Sequence, residues 1–276
     1  MIKADIYYKE NLRKILEEGY WDQDPRPKYE DGTPARSKFI TDVIETYDLS
    51  KGEFPIPTLR NTAIKTGIKE IFWIYQLQSN KLEDAHKLGI NWWDNWDIGD
   101  GTIGERYGFT VKRYNLINNI LHDLKNNPFS RRHIMSLYQY ENLYNTPGLY
   151  PCAFETIWNV RDVDDERYLD MRLIQRSNDY LVAGAINKIQ YSALLMMVAG
   201  HLGYKVGKFT HYTINLHIYD RHFDALNELL GKNPLEEQPL IKLKEGKNFY
   251  DYIVDDFTIE NINGIKKIDS PLELAI

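Results

Sequence analysis

Apolar residues recur at helical spacing from the start of the chain. Ile6, Leu12, Ile15 and Leu16 lie on one face of residues 4–18 and Gly19 follows as a stop, which predicts an opening amphipathic helix. The same period returns over residues 60–78 through Ile64, Ile68, Ile71, Phe72 and Tyr75, and over 111–125 through Leu116, Ile120, Leu121 and Leu124. Residues 187–201 are apolar on nearly every face, as a helix buried at the centre of a fold must be, and a further amphipathic helix is predicted over about 217–230. Partial alternation with β-branched and aromatic residues predicts strands over 133–138, 152–161 and 167–176, the last two joined by a turn at 162–166. Between positions 20 and 58 the chain carries five of its eleven prolines and the Asp31-Gly32 pair, so this stretch reads as loop with one strand near 39–47. Residues 91–108 gather Trp92, Trp93, Trp96 and four glycines without a period, which predicts an ordered aromatic loop.

Strands and helices are intermixed and adjacent strands are joined by tight turns, so the fold class is α+β, with one large mixed β-sheet and packed helices. At 276 residues the chain sits near the upper size of one hydrophobic core, which predicts a single domain over 1–276, with about 76–105 as a small variable helical and loop region. A hydrophobic content of 43% and a net charge of -6 exclude a disordered or collagen-like chain. No apolar run reaches the roughly 18 residues of a spanning helix and the opening MIKADIYYKE is polar, so no membrane association and a cytoplasmic location are expected. A mildly acidic chain has no field that attracts DNA or RNA; an anionic substrate has to be gripped by local arginines.

The single cysteine excludes an intrachain disulfide and a multi-thiolate zinc site. Cys152 follows Pro151 at the exposed beginning of a strand, and antiparallel pairing with the next strand sets Arg176 at the same sheet end, where a guanidinium lowers a thiol pKa. The plainer reading of a lone cysteine is a small buried hydrophobe. Arg131-Arg132, Arg176-Ser177 and Arg26 could form a dianion site, although an arginine pair is commonly a solvated surface feature. Asn187 is either a helix N-cap or an amide facing the paired acceptor and donor of a uracil-type ring. Glu70 lies in the most apolar part of its helix, where desolvation raises a carboxyl toward neutrality and suits it to proton transfer. His217 and Tyr219, near a helix start, suit a sugar hydroxyl; without HExxH or Cys/His spacing no metal site is predicted. The three loop tryptophans are core residues or a stacking surface for a flat ligand. Neither a dinucleotide-binding glycine motif nor a P-loop is present.

Taken together, Tyr150-Pro151-Cys152, Arg176-Ser177-Asn178-Asp179, Asn187 and His217-Ile218-Tyr219, in that order and spacing, resemble the folate-dependent thymidylate synthase family. Lys69-Glu70-Ile71-Phe72-Trp73, Trp93-Asp94-Asn95-Trp96, Gly104 to Gly108, Ser130-Arg131-Arg132 and the final Leu274-Ala275-Ile276 extend the resemblance over nearly the whole chain. It implies the thymidylate synthase fold, a sheet-to-sheet homodimer, and reductive methylation of dUMP to dTMP. The co-substrate would be 5,10-methylenetetrahydrofolate, released as dihydrofolate, with no metal.

By the same resemblance Cys152 is the nucleophile toward carbon 6 of the pyrimidine, with Glu70, Tyr107, Asn187 and Arg176 completing the catalytic set. Arg26, Arg176 and Ser177 hold the phosphate, joined by Arg131 and Arg132 across the dimer; Arg26 is preferred to Arg36 because it opens an Arg-x-Lys stretch. Asn178, Asp179 and Asn187 complete the substrate contacts, and His217 with Tyr219 fixes the deoxyribose. Ala63, Trp92, Trp93, Asp179, Ala183, Ala275 and Ile276 form the folate side, the last two as a tail closing over both ligands. Departures from the commonest family pattern are Ala153 where His is frequent, Ala183-Gly184-Ala185-Ile186-Asn187 in place of Gly-x-Pro-Phe-Asn, and Asn215 where Asp is usual. The nearest rival is a pyrimidine nucleotide hydroxymethylase of the same fold; a cysteine hydrolase and a non-enzymatic binder lie further off.

Overall fold

The computed structural model describes residues 2–276. Helix α1 (Lys3–Glu18) buries Tyr8, Leu12 and Ile15, and Gly19 closes it. The proline-rich stretch that follows holds only the short strand β1 (Tyr20–Trp21) before the long β2 (Ser37–Asp48). Helix α2 (Ile64–Ile71) carries Glu70 and runs into a wider turn over Phe72–Gln76, where Leu77 N–H bonds Phe72 C=O at 2.8 Å, an i to i+5 pattern that frequently marks functional positions. Between Leu77 and Tyr107 the only further α-helix is α3 (Leu82–Lys87), and the predicted aromatic loop is present with a single turn of helix at Asp94–Trp96.

The helix predicted over 111–125 is two helices, α4 (Gly108–Arg113) and α5 (Leu116–Asn126), separated where Asn115 takes a positive φ of 51°. Strand β3 (Ile134–Ser136) is shorter than the 133–138 expected, and α6 (Tyr140–Asn145) follows it. Strands β4 (Ala153–Val163) and β5 (Glu166–Gln175) form the predicted hairpin, its turn at Asp164 and Asp165 with φ of 50° and 63°, both in the left-handed region that two-residue hairpins need. After the two-residue β6 (Asn178–Asp179) comes the buried α7 (Gly184–Leu202). The chain continues as β7 (Lys205–Tyr219), α8 (Phe223–Gly231), β8 (Leu240–Leu243) and β9 (Phe257–Glu260), the last two paired separately.

The sheet order is β1-β2-β7-β5-β4-β3, with β6 also paired to β7. Strands β5 and β6 run parallel to β7 and the other pairs are antiparallel, which makes the sheet mixed. Helix α7 lies against it, fixed by a buried ion pair in which Lys188 Nζ stands 2.6 Å from Glu45 Oε2 of β2. No helix among the described residues is long and apolar enough to cross a membrane.

Two expectations require correction. The 15-residue β7 is absent from the sequence reading because its inward positions include Gly207, His211 and Thr213 beside Phe209, so polar and small residues break the apolar alternation. His217 and Tyr219 therefore sit on the end of a strand and not at a helix start, and α8 begins only at Phe223. Asn187 is not an N-cap: α7 starts at Gly184 after Ala183, and Asn187 N–H already bonds Ala183 C=O within the first turn, leaving its side chain free for other work.

Candidate active site

A cavity of about 890 Å³ opens where the ends of β4 and β5, the start of α7 and the end of β7 converge. This is large enough for a nucleotide and a second heterocyclic ligand together. Arg26, Cys152, Arg176, Ser177, His217 and Tyr219 line its polar part; Trp92, Trp93, Trp96, Ile71, Ile74 and Val182 line an apolar one. Glu70, Tyr107, Asp179, Ala183, Asn187, Ala275 and Ile276 also face this space. Most of the sequence-predicted site is thus brought to one place. Arg36 is not in the cavity; its guanidinium lies 5.3 Å from the Trp21 ring centroid, which favours Arg26 as the arginine facing the ligand space.

Four expected residues lie elsewhere. Ala63 precedes α2 in a separate shallow depression with Thr62 and Ile259, because the helix turns its first residues away from the cavity. Asn178 is buried, its amide without a hydrogen-bond partner, and packs against Gly184 behind the wall formed by Ser177 and Asp179. Arg131 and Arg132 are exposed in the turn before β3, outside this chain's own cavity.

The hairpin register produces the central pair. Ala153 faces Gln175, and Arg176 N–H bonds Cys152 C=O at 2.9 Å, so both side chains leave the same sheet end. A bulge at Phe154, skipped in the β4–β5 register, bends the strand beside the cysteine, a common device next to reactive residues. Arg176 Nη2 stands 3.5 Å from Cys152 Sγ, and its Nε and Nη2 donate to the carbonyl oxygens of Pro151 and Tyr150 at 3.0 and 2.8 Å. The thiol is not as exposed as its place at a strand start suggested. Burial pushes its pKa up, and the opposing pull of Arg176 and Arg26 does not restore it, so the ligand-free sulfur is a neutral thiol at pH 7.

Tyr107 closes the site from above. Its phenol oxygen accepts the Cys152 backbone N–H at 3.3 Å, and its backbone is held at φ 47°, a strained value for a tyrosine. Gly108 next to it rests on the backbone of Ser79, where a Cβ would come within 2.1 Å of a carbonyl oxygen, so glycine is required there.

Glu70 reaches the cavity because Gly67 lets α2 approach α7; a Cβ there would press on Ile186 and Gln190 at 3.3 and 3.4 Å. Its carboxylate accepts the Trp92 indole N–H. Burial raises the Glu70 pKa to about 7 against the pull of donors on Trp93, Trp92 and Gln190, a value suited to proton transfer at neutral pH.

The Asn187 amide is oriented by a directed chain. Gln175 Nε2 donates to the Ser177 carbonyl, which can only accept, at 3.0 Å, and this fixes the sense of its amide, with Oε1 turned to the neutral His211 Nε2 at 2.8 Å. Gln175 Nε2 also donates to Asn187 Oδ1 at 3.0 Å, and Asn187 Nδ2 donates to Gln190 Oε1 at 3.0 Å. Sequence reasoning missed Gln175, Gln190 and His211; Gln175 adjoins Arg176, but nothing in the sequence marks His211 as its partner. Parallel pairing of Asp179 with His217 aligns the segment after β5 with the end of β7, setting Asp179 and Ser177 beside His217 and Tyr219. No His, Cys, Asp and Glu grouping among the described residues has the form of a metal site. The flat indole walls and the Asp179 carboxylate provide stacking surfaces and an acceptor for ring N–H groups, which suits a pteridine.

Comparison with known proteins agrees with this architecture. The family model described as thymidylate synthase matches residues 6–274. The chain is 51% identical over 270 residues to thymidylate synthase of Streptococcus pneumoniae strain 70585, covering 96% of this chain and 97% of the relative, and equally identical over the same length to that of Streptococcus suis strain 05ZYH33. The solved structure of thermostable thymidylate synthase A from Bacillus subtilis superposes with a TM-score of 0.90 at 34% identity, covering 99% of both chains. By the family model over nearly its whole length and by relatives half identical to it, the chain belongs to the thymidylate synthase family.

Proposed function

We propose that the cavity methylates dUMP to dTMP, with 5,10-methylenetetrahydrofolate supplying both the carbon and the hydride and leaving as dihydrofolate. The observation that carries this reading is the placing of Cys152 Sγ, the Arg176 guanidinium and the Asn187 amide around one space.

Arg26, Arg176 and Ser177 would take the phosphate, because guanidinium groups and a hydroxyl match a dianion. Asn187, its amide sense set by Gln175, would meet O4 and N3–H of uracil, while His217 and Tyr219 meet the sugar hydroxyl. As the ring seats over Cys152 the thiol would pass its proton to water in the cavity and the sulfur adds to carbon 6. The electron pair of the 5,6 double bond then moves toward carbon 5 and O4, where the Asn187 amide stabilises it. Glu70 would relay protons at O4 and carbon 5 and Tyr107 would hold the sulfur-bearing backbone in place. The folate co-substrate supplies the one-carbon unit and then the hydride. Before the hydride moves, carbon 5 would lose its proton as the bond from the one-carbon unit to the folate nitrogen breaks; hydride addition to the resulting methylene carbon then restores the 5,6 double bond and expels the Cys152 sulfur from carbon 6.

The indole of Trp93, almost fully buried, and the segment Leu274 to Ile276 over the cavity favour hydride over water as the species that quenches the methylene carbon, which argues against the hydroxymethylase alternative. A cysteine hydrolase is not supported, since His217 shares its hydrogen bond with Asn215 and not with Cys152. Exposed Ile44, Ile134 and Ile214 on the sheet support a homodimer through that sheet, which would bring Arg131 and Arg132 of the partner subunit to the phosphate. A mechanism that needs a reduced thiol fits the cytoplasm. Formation of dTMP with an equimolar rise in dihydrofolate absorbance tests the reading; 5-hydroxymethyl product with tetrahydrofolate would overturn it.

A further inference from the structure

Immediately after β7 delivers His217 and Tyr219 to the cavity, the single turn Asp220–His222 touches two segments distant in sequence. One is the hairpin loop that bears Arg26. Asp220 Oδ1 accepts the Tyr29 hydroxyl at 2.6 Å, Arg221 Nη2 donates to Asp31 Oδ2 and to Thr33 Oγ1 at 2.7 Å each, and the guanidinium lies 4.0 Å from the Tyr29 ring centroid. The other is the last stretch of the sequence. Arg221 Nη1 donates to Glu273 Oε2 at 2.7 Å, and His222 Nε2 bonds Glu273 C=O at 2.9 Å. The two segments also meet each other through Lys28 N–H to Ile276 C=O at 2.8 Å and Ile276 N–H to Lys28 C=O at 3.0 Å, and Ala275 packs on the buried Tyr29, Ala35 and Tyr219.

We propose that Arg221 is a positioning residue that couples these segments, so that a nucleotide gripped by Arg26 steadies residues 273–276 over the folate side. One guanidinium satisfies carboxylates on both segments at once, and its planar fork with ring stacking fixes their relative placement in a way a point charge does not. Its side chain and both carboxylates are partly exposed, at 33% for Arg221, 51% for Asp31 and 46% for Glu273. Exposed pairs contribute little to stability, so the coupling can be made and broken during ligand exchange without unfolding anything. This inference rests on the proposed reaction but is readable without turnover.

The test combines Arg221→Met, which keeps the aliphatic stem, with Arg221→Lys, Glu273→Gln and Asp31→Asn, followed by steady-state kinetics and amide hydrogen exchange of residues 272–276. In the unaltered protein dUMP should slow exchange in that stretch. Arg221→Met should abolish this dUMP-dependent protection and raise KM for the folate roughly fivefold, with Tm unchanged. Glu273→Gln should reproduce both the loss of protection and the folate effect, Asp31→Asn should weaken dUMP binding without raising the folate KM, and Arg221→Lys should fall between Arg221→Met and the unaltered protein. Intact dUMP-dependent protection in Arg221→Met with both KM values unchanged would overturn the coupling, as would a uniform loss of both substrates accompanied by a lowered Tm. If Arg221→Met does not fold, Glu273→Gln alone decides, by whether dUMP still protects residues 272–276. An unaltered protein that binds dUMP with protection but forms no dTMP would refute the reaction and leave the coupling standing.

Discussion

Arg176 braces Cys152 and the chain leading into it: one guanidinium nitrogen lies 3.5 Å from the sulfur while the same group ties down the carbonyl oxygens of the two preceding residues, Tyr150 and Pro151. The guanidinium pulls the thiol pKa down, but burial outweighs it and the net shift is upward, away from the thiolate.

Alkylation of Cys152 by iodoacetamide should therefore be slow at pH 7 and accelerate as pH rises past the ordinary thiol range. Arg176→Gln should move that profile to still higher pH and lower dTMP formation by about 100-fold, the scale for losing a charged group at the reacting atoms. An unshifted alkylation profile in Arg176→Gln would count against the electrostatic part of the argument.

Glu70 binds a proton in the folded protein up to about pH 7, whereas the unfolded chain releases it near 4.5. Between those values the native state holds more protons than the unfolded one, so stability falls as pH rises through the window and levels off above it. The contribution is about 3 kcal/mol in all. Urea unfolding at pH 5 and pH 7.5 should show this loss in the unaltered protein and not in Glu70→Gln.

Asn187→Asp should exchange substrates. A charged carboxylate opposite the pyrimidine edge only accepts and cannot donate to O4, so kcat/KM for dUMP should fall by about 100-fold while binding of dCMP, whose 4-amino group donates, improves. Breaking the orienting chain with Gln175→Leu should weaken the same discrimination without touching the ring. Competition between dUMP and dCMP measures both.

Mixed subunits test the shared site. Neither Arg131→Ala nor Cys152→Ser alone should turn over at the normal rate, but a heterodimer holds one cavity with an intact cysteine and, across the interface, an intact Arg131. Equal mixing gives half of the dimers as heterodimers with one intact cavity each, so activity should recover toward about a quarter of the normal value, and no recovery would argue against arginines crossing the dimer.

Much of this was legible in the sequence. Cys152, Arg176 and Asn187 stood out through the order and spacing that resemble the family, their residue types alone leaving plainer readings open, and α1, α7 and the β4–β5 hairpin through their apolar patterns. Strand β7 was not, since polar His211 and Thr213 occupy inward positions and are satisfied by hydrogen bonds that no local pattern reveals. The orientation of Asn187 was hidden for the same reason: it depends on Gln175 and His211, brought together only by parallel pairing of β5 with β7. Arg221 gave no signal at all, because its partners Asp31 and Glu273 lie 190 and 52 residues away. Ala63 lies in a separate depression because α2 begins just after it and turns the residue outward, a placement the local sequence does not reveal.

The account depends on a sulfur–carbon bond, and intact-protein mass spectrometry after incubation with 5-fluoro-dUMP and 5,10-methylenetetrahydrofolate measures it most directly. A fluorine at carbon 5 blocks the proton loss that precedes release, so the chain should gain the mass of one nucleotide plus one folate, mapped by peptide digestion to Cys152 and absent in Cys152→Ser. An unmodified mass in a preparation that still forms dTMP, or an adduct on any other residue, would contradict it.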